Sequence, residues 1–414
     1  MPVDGRDLQT RLRAAFAPEP PDNLGVAVSG GGDSVALLHL LAEWSQGGGP
    51  QLHAVTVDHG LRPEAAAEAE DVAAMCRMLG VSHATLRWQG WDRTGNLMDA
   101  ARRARISLIA DWARAQGIAA VALGHTMDDQ AETFLMRLAR GSGVDGLSAM
   151  TPRRQSDGIA WMRPLLTVRR DELRHYLTSR NVAWADDPTN DDDRFDRIRM
   201  RKALTVLEPL GITPDRIADT VHLMSMARDA LKGAALRVVK ADGDEICGAV
   251  RVDRDALLAE PVETGLRILA DAIRWVSSAD YRPRLDALET AYANVTRQRK
   301  HTLAGCILNS DDTEIWIRRE PKAVANMASP TDRAWDTRWQ LSGPHAPDLA
   351  IRALGPEGLR QAKTWRSTGI PRDTLIVTPG IWRDETLVAA PCAGFGAGWT
   401  ATVSPSFVSF LLSH

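Results

Sequence analysis

A glycine-rich hexapeptide, Ser29-Gly30-Gly31-Gly32-Asp33-Ser34, carries the clearest chemical signal in the sequence. Three successive glycines allow positive φ angles and let the backbone approach an anion closely, because no Cβ atom intervenes. If a helix follows directly, its free amides and dipole attract the same anion. Ser34 could cap that helix or bind a phosphate oxygen. A bare phosphate would repel Asp33, so this residue predicts either a neighbouring metal ion, for which Mg²⁺ is the candidate, or a cationic partner. The pattern is neither GxxxxGK(S/T) nor GxGxxG, which disfavours a kinase-type NTPase or a dehydrogenase.

A second polar group begins at His125 and continues through Asp128, Asp129 and Glu132. Asp128 and Glu132 share a helix face because they are four residues apart, and Asp129 lies about 100° away. Carboxylates beside a phosphate loop suit Mg²⁺ or the ammonium group of an amine substrate. A solvated acidic helix start is the structural alternative. Histidines at such a place are candidate general bases or donors to phosphate. Three further candidate site residues lie at the end of the earlier apolar run at 52–58 or just after it: Asp58, His59 and Arg62.

Short apolar runs alternate with amphipathic stretches before these residues, which predicts a β-α-β-α-β-α-β series. We predict strands at 25–29, 52–58, 84–88 and 119–124, and helices at 34–44, 64–79, 96–116 and 128–140. Near-continuous apolar strands indicate a doubly wound parallel sheet, hence an α/β fold. The strand order expected for such a sheet brings the ends of the first and fourth strands together at the switch point, where ligands bind.

The remainder of the chain predicts further domains after a catalytic region at 1–202. Residues 141–202 read as loop-rich. A mostly helical middle domain at 203–320 has helices at 217–236, 262–276 and 284–296 and a hairpin of strands 302–309 and 314–319. A proline-rich linker at 321–347 precedes a small α/β domain at 348–414.

Composition excludes several classes of protein. The 414 residues are 44% hydrophobic and 25% charged, unlike a disordered or fibrous chain. No apolar run approaches the roughly 18 residues of a membrane span, and the N-terminus reads as a short amphipathic helix rather than a secretion signal. The four cysteines form no CxxC pair, which argues against a disulfide scaffold, a zinc ribbon or an iron–sulfur site. We therefore expect reduced thiols and a cytoplasmic location.

Arginines are concentrated in three segments although the net charge is −3. Residues 137–170 hold seven, ending in Arg169 and Arg170, and further groups lie at 102–105 and 194–202. Such strips could neutralise the phosphates of a nucleic acid, and the competing interpretation is a solvated helix face with ion pairs. The candidates for nucleic-acid contact are Arg102, Arg105, Arg137, Arg140, Arg163, Arg197 and Arg201.

The hexapeptide resembles the SGGxDS loop of the N-type ATP pyrophosphatase (PP-loop) superfamily. Four further segments are similar to the tRNA(Ile)-lysidine synthetase family within it: VDHGLR at 57–62, LGHTMDDQAET at 123–133, RPLL at 163–166 and DPTN at 187–190. The resemblance covers about the first 200 residues. The sequence departs from the family pattern at Met98, where relatives usually have Glu, and at Ile198, where many have Asn.

This resemblance implies a PP-loop fold and a two-step ligation on an isoleucine tRNA with a CAU anticodon. ATP and Mg²⁺ would bind at Ser29–Ser34, Asp58, His59 and Arg62, and the wobble cytidine would be adenylated with release of pyrophosphate. Free L-lysine would then displace AMP through its ε-amine. An ammonium has no lone pair, so a carboxylate among Asp128, Asp129 and Glu132, or His125, must accept its proton. The middle and C-terminal domains would contact tRNA.

Three alternatives stay open at this point. A tRNA thiolase of the same superfamily typically needs cysteine pairs, which are lacking here. An amidotransferase often has a cysteine after the initiator methionine, where Pro2 stands. A non-catalytic RNA-binding protein with a degenerate nucleotide fold would not need Asp33, Asp128 and Asp129. The sequence does not set the oligomeric state and is compatible with a homodimer.

Overall fold

The computed structural model describes residues 5–60, 65–89, 97–185 and 196–413, and the chain forms two compact units that divide after Arg228. The first unit contains a six-stranded sheet whose strands are β1 Asn23–Ala27, β2 Gln51–Asp58, β3 Ser82–Arg87, β4 Ala120–Leu123, β5 Arg153–Ser156 and β6 Ile159–Met162. Their order is β3-β2-β1-β4-β6-β5, with parallel pairing except between β5 and β6. β1 therefore lies between β2 and β4, which confirms the predicted switch point.

Helices precede, connect and follow these strands. They are α1 Gly5–Ala14, α2 Gly32–Gln46, α3 Ala65–Leu79, α4 Leu97–Ala115, α5 Met127–Leu138, α6 Val144–Leu147, α7 Arg170–Ser179, α8 Asp196–Leu207 and α9 Pro214–Asp242, the last of which spans the boundary between the units. The first four predicted strands and the helices between them are confirmed, with ends displaced by a few residues. The loop-rich prediction for 141–202 is incomplete, because β5, β6 and α7 lie there.

Both faces of the sheet are covered, as a doubly wound fold requires. Leu24, Val26 and Ala54 point to one face, where they pack with the apolar face of α2 and with α1, α3 and α7. Val55 and Val121 point to the other face and pack with α4. This alternation follows from the two-residue period of the strands.

The second unit is built on antiparallel sheets. Its strands are β7 Gly243–Ile246, β8 Ala249–Asp253, β9 His301–Leu303, β10 Cys306–Ser310, β11 Glu314–Arg319, β12 Ala328–Pro330, β13 Trp339–Ser342, β14 Ala350–Ala353, β15 Pro379–Arg383, β16 Thr386–Ala389 and β17 Thr400–Val403. They form sheets ordered β7-β8-β11-β10-β9, β12-β14-β15-β16 and β13-β17. Its further helices are α10 Arg254–Ala259, α11 Val262–Ser277, α12 Leu285–Thr296, α13 Pro321–Val324, α14 Gly355–Gln361, α15 Arg372–Leu375 and α16 Phe407–Ser413.

The predicted helices at 217–236, 262–276 and 284–296 are confirmed in α9, α11 and α12. The single strand predicted at 302–309 is wrong, since Ala304 and Gly305 take positive φ angles of 50° and 73° and turn the chain between β9 and β10. The hairpin of β10 and β11 is confirmed. Residues 321–347 contain α13, β12 and β13, and the domain boundaries at 202, 320 and 347 stay a prediction.

Two further expectations concern membranes and thiols. Among the described residues, no helix combines the length and the apolar character needed to cross a bilayer. All four cysteines are free thiols. Cys247 and Cys392, both in the second unit, form a side-chain hydrogen bond that lowers the pKa of Cys247 and raises that of Cys392.

Candidate active site

The glycine-rich loop connects β1 to α2 at the switch point and is open on one side. Gly30 has a φ of +87°, which only glycine adopts without strain. A Cβ atom added to Gly31 would have Ser29 Oγ as its one neighbour within 4 Å, at 3.7 Å, so a side chain would not clash there. The Gly30 carbonyl accepts a 3.0 Å hydrogen bond from the Ala185 amide. The loop is thus tied to the chain at Ala185 and is uncrowded at Gly31.

Ser34 shapes this loop from within. Its Oγ donates to the Gly31 carbonyl at 2.9 Å and accepts from the Ser29 amide at 3.1 Å. The N-cap of α2 is Gly31, with no side-chain cap, so the prediction that Ser34 caps this helix is wrong. The first turn of α2 also lies against the end of β4, where a Cβ on Gly124 would come within 3.0 Å of Ser34 Cα.

A cavity of about 760 Å³ opens in front of the loop. Predicted site residues that line it are Ser29, Gly31, Gly32, Asp33, Ser34, His59, Arg105, His125, Arg197 and Arg201. Asp58 instead accepts a hydrogen bond from the Gly60 amide at 2.8 Å. Arg62 and residues 187–190 lie outside the described residues, as does the side chain of Met98, whereas Ile198 is buried in α8. The volume is within the range of small-molecule sites.

The predicted carboxylates converge on Arg170, which sequence analysis assigned only to a basic strip. Its Nε donates to Asp33 Oδ2 at 3.0 Å, its Nη2 to Asp129 Oδ1 at 3.1 Å and its Nη1 to Glu132 Oε1 at 3.4 Å. Its backbone amide donates to Asp128 Oδ2 at 2.7 Å. An arginine in the first turn of a helix opposes the dipole. That unfavourable position of Arg170 at the start of α7 is the signal that could have indicated an ion pair.

Each acidic residue has additional partners. Asp129 forms a capping box with Thr126, whose amide and hydroxyl donate to Asp129 Oδ2 at 2.8 and 3.0 Å. Glu132 Oε1 accepts from Arg201 Nε at 3.0 Å. Asp128 pairs with Arg169 at 3.6 Å. The cluster therefore combines helix capping with a network of charges.

Burial and neighbouring charges shift the pKa values of these carboxyls in different directions. Burial raises the pKa of Asp33, and Asp129 and Asp128 add to this, against the opposing effect of Arg170. Burial likewise raises the pKa of Glu132, which is 1% exposed. For Asp129 the effect of burial is outweighed by Arg170 and the Thr126 amide, so its pKa is lowered. Within the described residues, Glu132 Oε2 is buried without a hydrogen-bond partner.

Both candidate histidines are neutral at pH 7. Burial lowers the pKa of His125 to about 4, and burial together with Arg105 lowers that of His59. The Nδ1 atoms of both are buried and have no hydrogen-bond partner among the residues described. A neutral imidazole can donate from one nitrogen and accept at the other.

The arginines predicted to contact nucleic acid separate into three kinds. Arg105, Arg197 and Arg201 line the cavity. Arg137 donates to the carbonyls of Gly146 and Ala149, at 2.8 Å each, and Arg163 donates to that of Thr151 at 2.9 Å. Burial lowers the pKa of Arg163 to about 10. Arg102 and Arg140 are exposed, and Arg140 pairs with Asp196 at 3.0 Å.

Magnesium fits this site only with help from a substrate. In the part of the chain that the structure describes, no group of three or more His, Cys, Asp or Glu side chains has metal-site geometry. Mg²⁺ typically binds one or two carboxylates together with phosphate oxygens and water. Asp33, at the edge of the loop, could supply one carboxylate oxygen beside bound phosphates.

A parallel sheet with an open glycine loop at its switch point and acidic residues after the adjacent strand defines an ATP-binding domain of the PP-loop class. In agreement, the PP-loop domain family matches residues 5–208. The tRNA(Ile)-lysidine synthase of Ruegeria pomeroyi is 45% identical over the whole of this chain and 99% of its own length. That of a Bradyrhizobium species is 38% identical over 78% of this chain and 96% of its own length. The chain belongs to the tRNA(Ile)-lysidine synthase family. Among solved structures, a U34-tRNA thiolase from Methanococcus maripaludis matches 53% of this chain and 79% of its own, at 17% identity and a TM-score of 0.47.

Proposed function

We propose that this enzyme ligates lysine to the wobble cytidine of the CAU anticodon of an isoleucine tRNA, with ATP converted to AMP and pyrophosphate. The observation that carries the proposal is the cavity lined by the glycine loop, by Asp33 and by Arg170, whose guanidinium contacts two carboxylates of α5. A nucleotide on the loop would lie close to these carboxylates, although Asp129 and Glu132 do not themselves line the cavity. Similarity to lysidine synthases over the full chain favours this function over a thiolase or a non-catalytic RNA-binding protein.

The first step activates the base. The amides of Gly30–Gly32 and the N-terminus of α2 would bind the phosphates of ATP. The 2-keto oxygen of cytidine attacks the α-phosphorus, the bond to the bridging oxygen breaks, and pyrophosphate leaves. Bound Mg²⁺, held through Asp33, would stabilise negative charge on the phosphate oxygens. Arg105, Arg197 and neutral His125 line the cavity and would donate hydrogen bonds to those oxygens.

The second step requires a deprotonated amine. The ε-ammonium of lysine would bind Asp129 and Glu132, which are acidic and buried. Glu132 is the better proton acceptor of the two, since its pKa is raised whereas that of Asp129 is lowered. Its Oε2 is buried and has no hydrogen-bond partner in the described chain, so it has capacity to accept a proton. The free amine then attacks C2 of the cytosine ring and AMP leaves with the C2 oxygen, which yields lysidine.

Transfer RNA would be held by arginines that face solvent. Arg102 and Arg140 are suited to this because they are exposed. Arg201 would face the anticodon from the cavity wall. We extend tRNA contact to the region 203–320 and to 348–414. A cytoplasmic location would agree with the four free thiols.

The test is mass analysis of the wobble nucleoside after incubation of the purified protein with ATP, Mg²⁺, labelled lysine and a tRNA carrying a CAU anticodon. We expect one lysine per tRNA and AMP formation that requires both lysine and tRNA. A tRNA with a different wobble base serves as the control. Binding of tRNA without AMP formation would overturn the enzymatic proposal.

A further inference from the structure

Arg170 joins two parts of the active site that are distant in sequence. Its three guanidinium nitrogens contact three different carboxylates, at 3.0–3.4 Å, and its side chain is 15% exposed. Asp33 belongs to the start of α2, next to the ATP loop. Asp129 and Glu132 belong to the start of α5, where we place the lysine ammonium.

The planar guanidinium suits this arrangement better than any other side chain. It presents donors in fixed directions within one plane, so one residue can serve several carboxylates at once. A lysine ammonium at the same position would be a point charge on a flexible chain. The geometry of Arg170 therefore sets the separation between the loop carboxylate and the two carboxylates of α5.

Arg170 also supplies positive charge to a buried acidic cluster. Asp33, Asp129 and Glu132 repel one another, and burial disfavours their ionised forms. Arg201 reaches Glu132, but its side chain is 38% exposed, so solvent screens it more than Arg170. Loss of Arg170 would leave these buried carboxylates with less compensating charge and without the contacts that hold them together.

We propose that Arg170 is a positioning residue that holds the carboxylates for the incoming amine fixed relative to the ATP loop. This inference rests on the proposed ligation. Arg170 lines the cavity, and the role that we assign to it is exercised through its contacts with Asp33, Asp129 and Glu132. A purely structural ion pair would instead affect folding without altering the KM for lysine of the folded enzyme.

Steady-state kinetics at pH 7 with lysine as the varied substrate test the proposal. In Arg170→Met we expect KM for lysine to rise about tenfold or more, the usual scale for loss of a charged hydrogen-bond partner. Arg170→Lys should restore part of the affinity, since it keeps the positive charge without the planar set of donors.

Arg180→Met is the matched control. Arg180 follows α7, pairs with Glu43 at 3.1 Å and stacks on Tyr176, away from the acidic cluster. This variant should keep the KM for lysine of the unaltered enzyme. Thermal unfolding of each variant shows whether it is folded, and if Arg170→Met is not, Arg170→Lys carries the test through its own raised KM.

The outcomes are distinguishable. A fall in kcat with unchanged KM for lysine, in whichever Arg170 variant folds, would overturn the positioning role. Absence of lysidine formation by the unaltered enzyme would instead refute the proposed function on which the inference rests.

Discussion

At the scale of single residues, Asp33 is the most direct link between the ATP loop and chemistry. It lines the cavity and its carboxylate faces Arg170. Asp33→Asn keeps the size of the side chain and removes its charge, so we expect AMP formation to be abolished and tRNA affinity to be nearly unchanged. Both are measured on the same preparation. Asp111→Asn removes an exposed carboxylate of α4 and should leave both values as they are. An active Asp33→Asn enzyme would contradict the metal-binding role.

His125 gives a pH-dependent prediction of stability. The pKa of this imidazole is about 4 in the folded state, against about 6.5 when unfolded, because burial opposes its protonation. The unfolded chain therefore binds more protons between these values, and the free energy of unfolding falls as pH drops from about 6.5 towards 4. His125→Asn should flatten this part of the profile by an amount on the order of 3 kcal/mol. Urea unfolding at several pH values measures it, and parallel profiles would contradict the assignment.

The sequence predicted the acidic residues of the site because they are close together along the chain. Asp128, Asp129 and Glu132 lie within one helical turn and a half, so spacing alone places them at one helix start. The pairing of Arg170 with these carboxylates was not predicted, because its contacts with Asp33 and with α5 span 137 and about 40 residues of sequence. The charge composition shows that such an arginine is present but does not show which residue it pairs with. The actual roles of Asp33 and its neighbours in catalysis stay predictions.

At the scale of elements, two positions of the loop need glycine for different reasons: Gly30 for its backbone conformation and Gly31 for the binding of phosphates. Gly30→Ala places a Cβ at a φ of +87° and should destabilise the fold by about 1 kcal/mol. Gly31→Ala adds its methyl group beside Ser29 Oγ at an ordinary contact distance of 3.7 Å, at a residue that lines the cavity. We expect Gly31→Ala to leave the melting temperature nearly unchanged and to raise KM for ATP, because the methyl group obstructs the phosphates. Equal effects of the two variants on ATP binding and on stability would contradict this division.

Element prediction from sequence succeeded where apolar periodicity extended over many residues. The buried helix α2 and the strands on either side of the loop are of this kind. It failed between β9 and β10, because Ala304 takes a positive φ, which an alanine in the sequence does not predict. β6 has only four residues, all buried, and runs this short show no period that distinguishes strand from loop. The residues of the loop and of β4 that frame the cavity were predictable, whereas the hairpin of β5 and β6 beside β4 was not.

At the scale of the whole molecule, a protein with a net charge of −3 must bind tRNA through local positive surfaces. Arg102 and Arg140 lie in unit 1 and are exposed, whereas Arg137 is committed to the carbonyls of Gly146 and Ala149. These two kinds of arginine should respond differently to substitution, although all three were grouped by sequence as candidates for tRNA contact.

We expect Arg102→Ala and Arg140→Ala each to weaken tRNA binding and to reduce the slope of log K against log salt by about 0.7–0.9, the contribution of one phosphate contact. Arg137→Ala should instead lower the free energy of unfolding by about 1–3 kcal/mol, because two carbonyls lose their donor. Filter binding across a salt series and urea unfolding measure the two effects. The controls are reciprocal, since each kind of variant should leave the other measurement nearly unchanged. An unchanged slope in both Arg102→Ala and Arg140→Ala would show that tRNA does not contact this surface, and the positive charge that compensates its phosphates would then have to come from the arginines lining the cavity.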